Sequence, residues 1–259
     1  MTNWRTIHTV LLLLLILVNL GLFWANRMEM DRLYSASDEE LERVLALYDR
    51  ENIRVDAVLR REGYPKAPAI LGGADFLTTE LVEKILGTEY RTAYMDARQR
   101  RYTKGEESIL LDPEGHRLVY TGVLKEESVE KIAARCLTGW ICTEYEENRW
   151  VYVQKKEDLY LYYNRAEFLV SDEGQITLEL QYYEPLGYET TTREVRPLDE
   201  LMYGALREIL QRSPEGAVLQ EIRYGYDLDP YRDAVYCLEF ALDNGKTVRI
   251  NAYSGEILN

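Results

Sequence analysis

Histidine and cysteine, the residue types that most often serve as catalytic bases, nucleophiles or metal ligands, are scarce in this sequence. The histidines are His8 and His116, and the cysteines are Cys136, Cys142 and Cys237. Two distant histidines cannot form a multi-histidine zinc site, and the cysteine spacing matches no metal-binding motif. A catalytic triad would need His116, which follows a tight turn where we expect a surface side chain. We therefore expect no catalytic residue, no metal site and no cofactor.

The three cysteines leave two arrangements open. Cys136 and Cys142 could pair across a short loop, and the odd number leaves at least one thiol free in either case. Small apolar thiols pack well inside protein cores. We expect free, buried cysteines rather than a disulfide scaffold.

Acidic residues are plentiful, and they suggest two kinds of site. Asp227, Asp229 and Asp233 could begin a calcium loop, but the glycine at position six and the closing glutamate of an EF-hand are missing. We therefore expect a solvated acidic turn beside Pro230. A pair of carboxylates for glycoside hydrolysis would have to flank a cleft, which sequence spacing does not reveal.

The charge of the chain excludes one class of partner. The sequence has 31 Lys and Arg against 45 Asp and Glu, a formal net charge of −14. Nucleic-acid binding depends on Lys and Arg that displace counterions from phosphates, so we expect no nucleic-acid partner. The 21 tyrosines against 4 phenylalanines are typical of sheets that are solvated on one face, because a tyrosine buries its ring while the hydroxyl reaches water.

An uncharged apolar run, Val10–Ala25, predicts a membrane anchor. Trp4 and Trp24 mark its ends, and a helix between them would span ~30 Å, the thickness of the hydrocarbon core of a bilayer. A cleaved signal peptide is the alternative, but cleavage after Ala25 or Asn26 would put the bulky Phe23 or Trp24 at position −3. The absence of acids from the first 27 residues favours a cytoplasmic N-terminus and an extracytoplasmic C-terminal domain.

Asn19 is the one strongly polar side chain within this run. A buried amide in hydrocarbon either lies near an interface or hydrogen-bonds to another helix. A packing seam in the membrane is one interpretation, and a tolerated polar residue on a lone anchor is the other. Helical spacing puts a set of side chains on the same face as Asn19, namely Leu12, Leu15, Ile16, Leu22, Phe23 and Asn26.

The first half of the outer region predicts two helices and a strand. Ser37 and Glu40 form a capping box at the start of a helix that continues to Tyr48 and ends near Asn52. We expect a strand over residues 54–60, a loop over residues 63–75, and a short helix from Thr78 or Thr79 that ends at Gly87.

A helix followed by a hairpin recurs in the second half. Tight turns at residues 112–115, 172–174 and 243–245 each join two β-rich runs, and helices follow over residues 126–137 and from Pro197. This order predicts an α+β fold with helices packed on antiparallel sheets. We expect the anchor at residues 1–27, a first subdomain at residues 28–124 and a second at residues 125–259, with the join near Lys125.

The two ends of the chain resemble the YycI family, membrane-anchored regulators of a cell-wall two-component system. The resemblance lies in Trp4 and the leucine-rich anchor with Asn19, in the capped helix 37–48 with residues 51–56, and in the tail Asp243–Leu258. That tail also resembles the closing hairpin of PepSY-type domains. The resemblance implies an N-terminus inside the cell, a β-rich domain outside and no catalysis.

The family further implies regulation of a membrane sensor histidine kinase, together with a YycH-like sister protein and largely through membrane helices. We expect this function. The runner-up is a PepSY-type extracytoplasmic module that binds or inhibits a protease or wall enzyme, and a wall hydrolase is the third alternative.

Overall fold

A computed structural model describes residues 12–24, 38–59, 70–72, 77–95, 99–112, 116–124, 128–187, 193–231 and 233–258. Its helices are α1 (12–24), α2 (Asp38–Arg50), α3 (Thr79–Leu86), α4 (Val129–Cys136) and α5 (Leu198–Arg212). Its strands are β1 (Ile53–Val55), β2 (Ile70–Gly72), β3 (Arg91–Tyr94), β4 (Arg100–Lys104), β5 (Glu107–Asp112), β6 (Arg117–Val123), β7 (Trp140–Glu146), β8 (Arg149–Lys156), β9 (Leu159–Val170), β10 (Gln175–Gln181), β11 (Glu184–Gly187), β12 (Ala217–Leu228), β13 (Ala234–Leu242), β14 (Thr247–Asn251) and β15 (Ile257–Leu258). The predicted α+β class is confirmed.

Helix ends follow the local sequence signals. Gly87 has φ 77° and ends α3, and Pro197 immediately precedes α5, as predicted. Asn52, with φ 59°, turns the chain from α2 into β1. The predicted loop over residues 63–75 is wrong at residues 70–72, which form β2 and pair with β11. Ser37 of the predicted capping box lies outside the described residues.

Thirteen strands form one sheet, whose main path runs β15-β14-β13-β12-β9-β10-β6-β5-β4-β3. The long strand β9 joins the two halves, because its first part pairs parallel with β12 and its second part antiparallel with β10. Strand β8 also pairs with β9, but the register slips between Val153 and Gln154. This slip lets the sheet bend, so that Val151 and Val153 pack against Val235 and Cys237 of β13.

Two apolar clusters fill the space between sheet and helices. One cluster joins α2, β1 and α5 to β12–β14, and the other joins α3 and α4 to β4–β6 and β10. The buried Tyr48 of α2 donates a hydrogen bond from its hydroxyl to the Met202 carbonyl of α5 (2.7 Å). Each cluster draws residues from both sides of Lys125, and the subdomain join predicted there stays a prediction.

Helix α1 covers the central part of the predicted anchor, and its large apolar side chains are exposed. Within the described residues, no helix has both the length and the apolar character that a membrane crossing requires. Trp4, Val10, Ala25 and Asn26 lie outside those residues.

A candidate binding site on the outer face of the C-terminal sheet

The strands β12–β14 have two different faces, because side chains alternate along a strand. Tyr224, Leu238 and Ile250 belong to the apolar cluster that packs against α5. The other face carries four charged side chains at positions that alternate with this apolar set. We call these the charge layer: Arg223, Asp227, Glu239 and Arg249.

The members of the charge layer are paired with one another. The Arg223 guanidinium donates to one oxygen of Glu239 (Nη1 to Oε1, 3.0 Å), and Arg249 approaches the other oxygen (Nε to Oε2, 3.8 Å). Arg249 also pairs with Asp227, and Arg223 with the more exposed Glu221. Glu239 is therefore held between two guanidinium groups while only 1 % of its surface is exposed. Paired charges tolerate such burial, whereas a lone charge there would be costly.

Burial and pairing act in opposite directions on these groups. Burial raises the pKa of Asp227 and Glu239, and the guanidinium groups only partly offset this. Burial alone would lower the pKa of Arg249, but its two carboxylate partners outweigh burial and raise it. Pairing thus keeps the arginine charged and supports the ionised form of both acids.

Two tyrosines of β9 lie beside the charge layer. Arg249 stands over the ring of Tyr162 at 5.1 Å from its centroid, and Arg223 and Lys155 stand over Tyr160 at 5.7 and 5.0 Å. The Tyr162 hydroxyl is buried without a hydrogen-bond partner among the described atoms, and burial raises its pKa well above the ordinary value. The rings therefore stabilise the cations from one side through cation–π contacts.

A second ion-pair group lies on β7–β9, next to the charge layer. Arg149 donates to Glu167 (Nε to Oε1, 2.6 Å) and to Glu144 (Nη1 to Oε2, 3.2 Å), and Arg165 reaches Glu167 at 3.3 Å. Burial alone would raise the pKa of Glu167, but the two arginines outweigh burial and lower it. This group links β7, β8 and β9 in the part of the sheet where β8 packs against β13.

An open cavity of 270 Å³ adjoins the layer. We call it the β12 notch: it is lined by residues 220–224 of β12 and by Asp56, Val58, Lys155, Asp158 and Tyr160. Arg223 is the member of the charge layer that lines it. Because the guanidinium and carboxylate groups already bind one another, they stabilise this face of the sheet.

The structure corrects two interpretations of acidic and histidine residues. Asp227 is not part of a solvated turn, because it is buried against Arg249, whereas Asp229 does cap a turn by accepting from the backbone N–H groups of Tyr231 and Asp233 (2.9 Å each). His116 is not a simple surface residue: it is half-buried and stacks on Tyr183 at 4.5 Å. No group of three or more metal-binding side chains occurs in the part of the chain that the structure describes.

All three cysteines are free thiols. Cys136 and Cys237 are buried as expected, and Cys142 is exposed on β7, which the sequence interpretation missed. Burial raises the pKa of the Cys237 thiol well above its ordinary value, so it acts as a small apolar side chain. The pairing of Cys136 with Cys142 is not seen.

The predicted packing seam is only partly described. Asn19 and the other described residues of its face lie on α1 with exposed side chains, and the interface residue Trp24 ends that helix. Trp4, Asn26 and His8 lie outside the described residues. The roles assigned to this face stay predictions.

A match to a known family covers the strands that carry the charge layer. Residues 206–259 match the PepSY family model, described as a peptidase propeptide and YPEB domain. This PepSY segment contains the C-terminal part of α5, residues 206–212, and all of β12–β15, and hence the whole charge layer. The predicted PepSY-like C-terminus is thus confirmed.

Two further comparisons add little to this match. A solved structure, the C-terminal domain of YpeB from Bacillus megaterium, matches with a TM-score of 0.39 and 12% identity over 70% of this chain and 96% of that chain. Among curated proteins, none matches this sequence significantly. The resemblance to the YycI family stays a prediction.

Proposed function

We propose that this protein is a non-enzymatic, extracytoplasmic binding module whose PepSY segment holds a protein partner, with a peptidase or wall enzyme as the first candidate. The observation that carries the proposal is the match of residues 206–259 to a family described as a peptidase propeptide. A propeptide acts by binding an enzyme. A rigid, charged sheet face with an open notch suits that role.

The state of the charged residues supports a binding role rather than catalysis. A catalytic acid needs a proton, and a nucleophile or base needs a lone pair, that the substrate can reach. Here Glu239 is bound by Arg223 and Arg249, and Asp227 by Arg249. These acids serve to fix the sheet, and partner binding uses the surface that they organise.

Membrane attachment is part of the proposal. The apolar run Val10–Ala25 would anchor the chain with its N-terminus inside, and residues 28–259 would lie outside. A test is labelling of intact cells with a membrane-impermeant maleimide, using Asp172→Cys in a Cys142→Ser background because Cys142 is exposed. We expect labelling at position 172. Protection of that thiol until the cells are lysed would contradict this topology.

Regulation of a sensor histidine kinase, with a YycH-like sister protein, is the second candidate. A specific contact favours it. Helix α2, the first described element after α1, binds α5 through the Tyr48–Met202 hydrogen bond, and both helices share an apolar cluster with the sheet of the PepSY segment. A partner bound outside would thereby bias how the anchor sits among membrane helices. The anchor can shift the equilibrium between two signalling states of the kinase only if it contacts the two states differently.

One experiment separates the two candidates. The tagged full chain is crosslinked in native membranes, purified and compared with a variant in which an unrelated anchor replaces Val10–Ala25. We expect a peptidase or wall enzyme to be recovered equally with both proteins. Recovery of a kinase and sister protein that is lost on anchor exchange would favour the second candidate. Release of peptidoglycan fragments by the pure protein, abolished by one carboxylate substitution, would refute a non-enzymatic role.

A further inference from the structure

The edge of β12 that faces away from β13 is interrupted. On this edge β1 pairs parallel with β12 up to Leu219, and β9 pairs parallel with it from Gly225 onward. Between these pairings, and among the described strands, residues 221–224 pair with β13 alone, and Gln220 has no partner in the register. Leu219 and Gly225 are six residues apart, which corresponds to a gap of about 20 Å along an extended strand.

The ends of β1 and β9 keep this gap open. After Val55 the chain turns, and the N–H groups of Asp56 and Ala57 both donate to the Leu219 carbonyl (2.9 and 3.1 Å). At the other end, Lys155 near the end of β8 and Asp158 in the β8–β9 turn belong to the lining. The space between them is the β12 notch, which a chain of about five extended residues would fill.

A bulge shapes the floor of the notch. The register of β12 against β13 shifts between Leu219 and Glu221, and both Gln220 and Glu221 are exposed. Bulges of this kind are frequent at sheet edges and beside functional sites. An interrupted edge that lies in line with two parallel strands accepts a strand more readily than a compact ligand, because its backbone groups repeat at the spacing of an extended chain.

We propose that the β12 notch binds an extended segment of the partner protein, which adds as a short strand between β1 and β9. This inference rests on the proposed binding function and specifies its partner contact. One side of the added strand would face the apolar cluster, against which Leu59 and Leu159 pack half-buried. The other side would face Tyr160 and Glu221.

The charges that line the β12 notch indicate which kind of segment would bind there. The lining carries three acids, Asp56, Asp158 and Glu221, against two cations, Lys155 and Arg223. Arg223 is already shared between Glu221 and Glu239. The whole chain carries a net charge of −14, so its field attracts cations. The fitting segment therefore has apolar residues at alternate positions and Lys or Arg between them.

The test uses a photo-crosslinking amino acid at Val58 in the full chain in living cells. Val58 lines the notch and is 80% exposed, and Tyr203 on α5, 65% exposed, is the matched control position. We expect Val58 to crosslink to one short, alternating, basic stretch of a partner. A synthetic peptide of that stretch should bind the full chain, and methylation of its alternate backbone nitrogens should weaken binding at least tenfold, because a strand bonds through those N–H groups.

The outcomes separate this inference from the proposed function. Crosslinks from Tyr203 but none from Val58 would show a partner held elsewhere, which overturns the notch and leaves the binding function standing. The absence of crosslinks from both positions would contradict both. A peptide that binds equally well after methylation would also overturn strand addition, as would a Val58→Arg variant that binds the unmethylated peptide as tightly as a Tyr203→Arg variant does.

Discussion

Replacement of Arg249 by methionine would leave a buried carboxylate without its cation. Methionine keeps most of the apolar volume of the arginine stem, so the change removes mainly the charge and its pairing. Glu239 retains Arg223, at 3.0 Å, but Asp227 loses the guanidinium that pairs with it. Removal of one member of a buried pair typically costs 3–5 kcal/mol, and we expect about that loss in the free energy of unfolding.

The loss should depend on pH in a defined direction. In the wild type Arg249 partly offsets the effect of burial on the pKa of Asp227. Without Arg249 this opposing effect is lost, so the pKa should rise further above its unfolded value. A carboxyl whose folded pKa is raised contributes stability that is present at low pH and is lost as pH rises through that pKa. The difference between the variant and the wild type should therefore shrink as the pH falls through the raised pKa of Asp227 toward the ordinary aspartate value of about 4.

Urea unfolding of the full chain in detergent micelles, followed by fluorescence, would measure these differences. Arg43→Met is the matched control, because the Arg43–Glu39 pair on α2 is largely exposed and should contribute less than about 1 kcal/mol. Adding Asp227→Asn to Arg249→Met should restore much of the stability. An Arg249→Met loss as small as that of the control, or one that the second substitution does not relieve, would refute the account of the charge layer.

Three further expectations concern Gly225, Glu167 and Asn19. In Gly225→Ala the new Cβ would lie 2.1 Å from the carbonyl oxygen of Tyr160, so urea unfolding should show a loss of about 1–3 kcal/mol, whereas Gly187→Ala, with nothing within 4 Å, should show little. Glu167 has a lowered pKa and its contribution is lost as pH falls through that value, so acid unfolding of Glu167→Gln should be less steep between about pH 5 and pH 3. Asn19→Leu should leave the protein inserted and folded but weaken association with a membrane partner by up to ~2 kcal/mol in an in-membrane association assay, and unchanged association would argue against a packing seam.

Local signals in the sequence predicted much of the fold. Gly87, Pro197 and the glycines of the hairpin turns act within a few residues, so the ends of α3 and the start of α5 could be read directly. The α+β class followed from the order of these elements. Pairings between distant segments could not be read this way: β1 joins β12 across more than 150 residues, and β9 pairs with both halves of the sheet.

The charge layer was missed although a signal for it exists. Glu239 interrupts an otherwise apolar strand, and Arg249 stands between Val248 and Ile250. Charged residues are almost never fully buried unless they are paired, so such positions in core strands indicate ion pairs on the second face. Which charges pair depends on strand register, and the bulge in β12 shifts that register by one residue. The spacing of Asp227 from Asp229 and Asp233 indicates an acidic turn, and only the pairing of β12 shows that Asp227 lies at the buried end of the strand.

The central claim is that the PepSY segment holds a protein partner outside the cell. Two exposed tyrosines allow a direct test in living cells: Tyr231 lies in the segment and is 87% exposed, and Tyr94 lies on β3 at the far edge of the sheet and is 74% exposed. A photo-crosslinking amino acid would replace each in turn in the full chain. The account predicts a specific crosslinked protein from position 231 and none from position 94. Crosslinks from position 94 alone would contradict it.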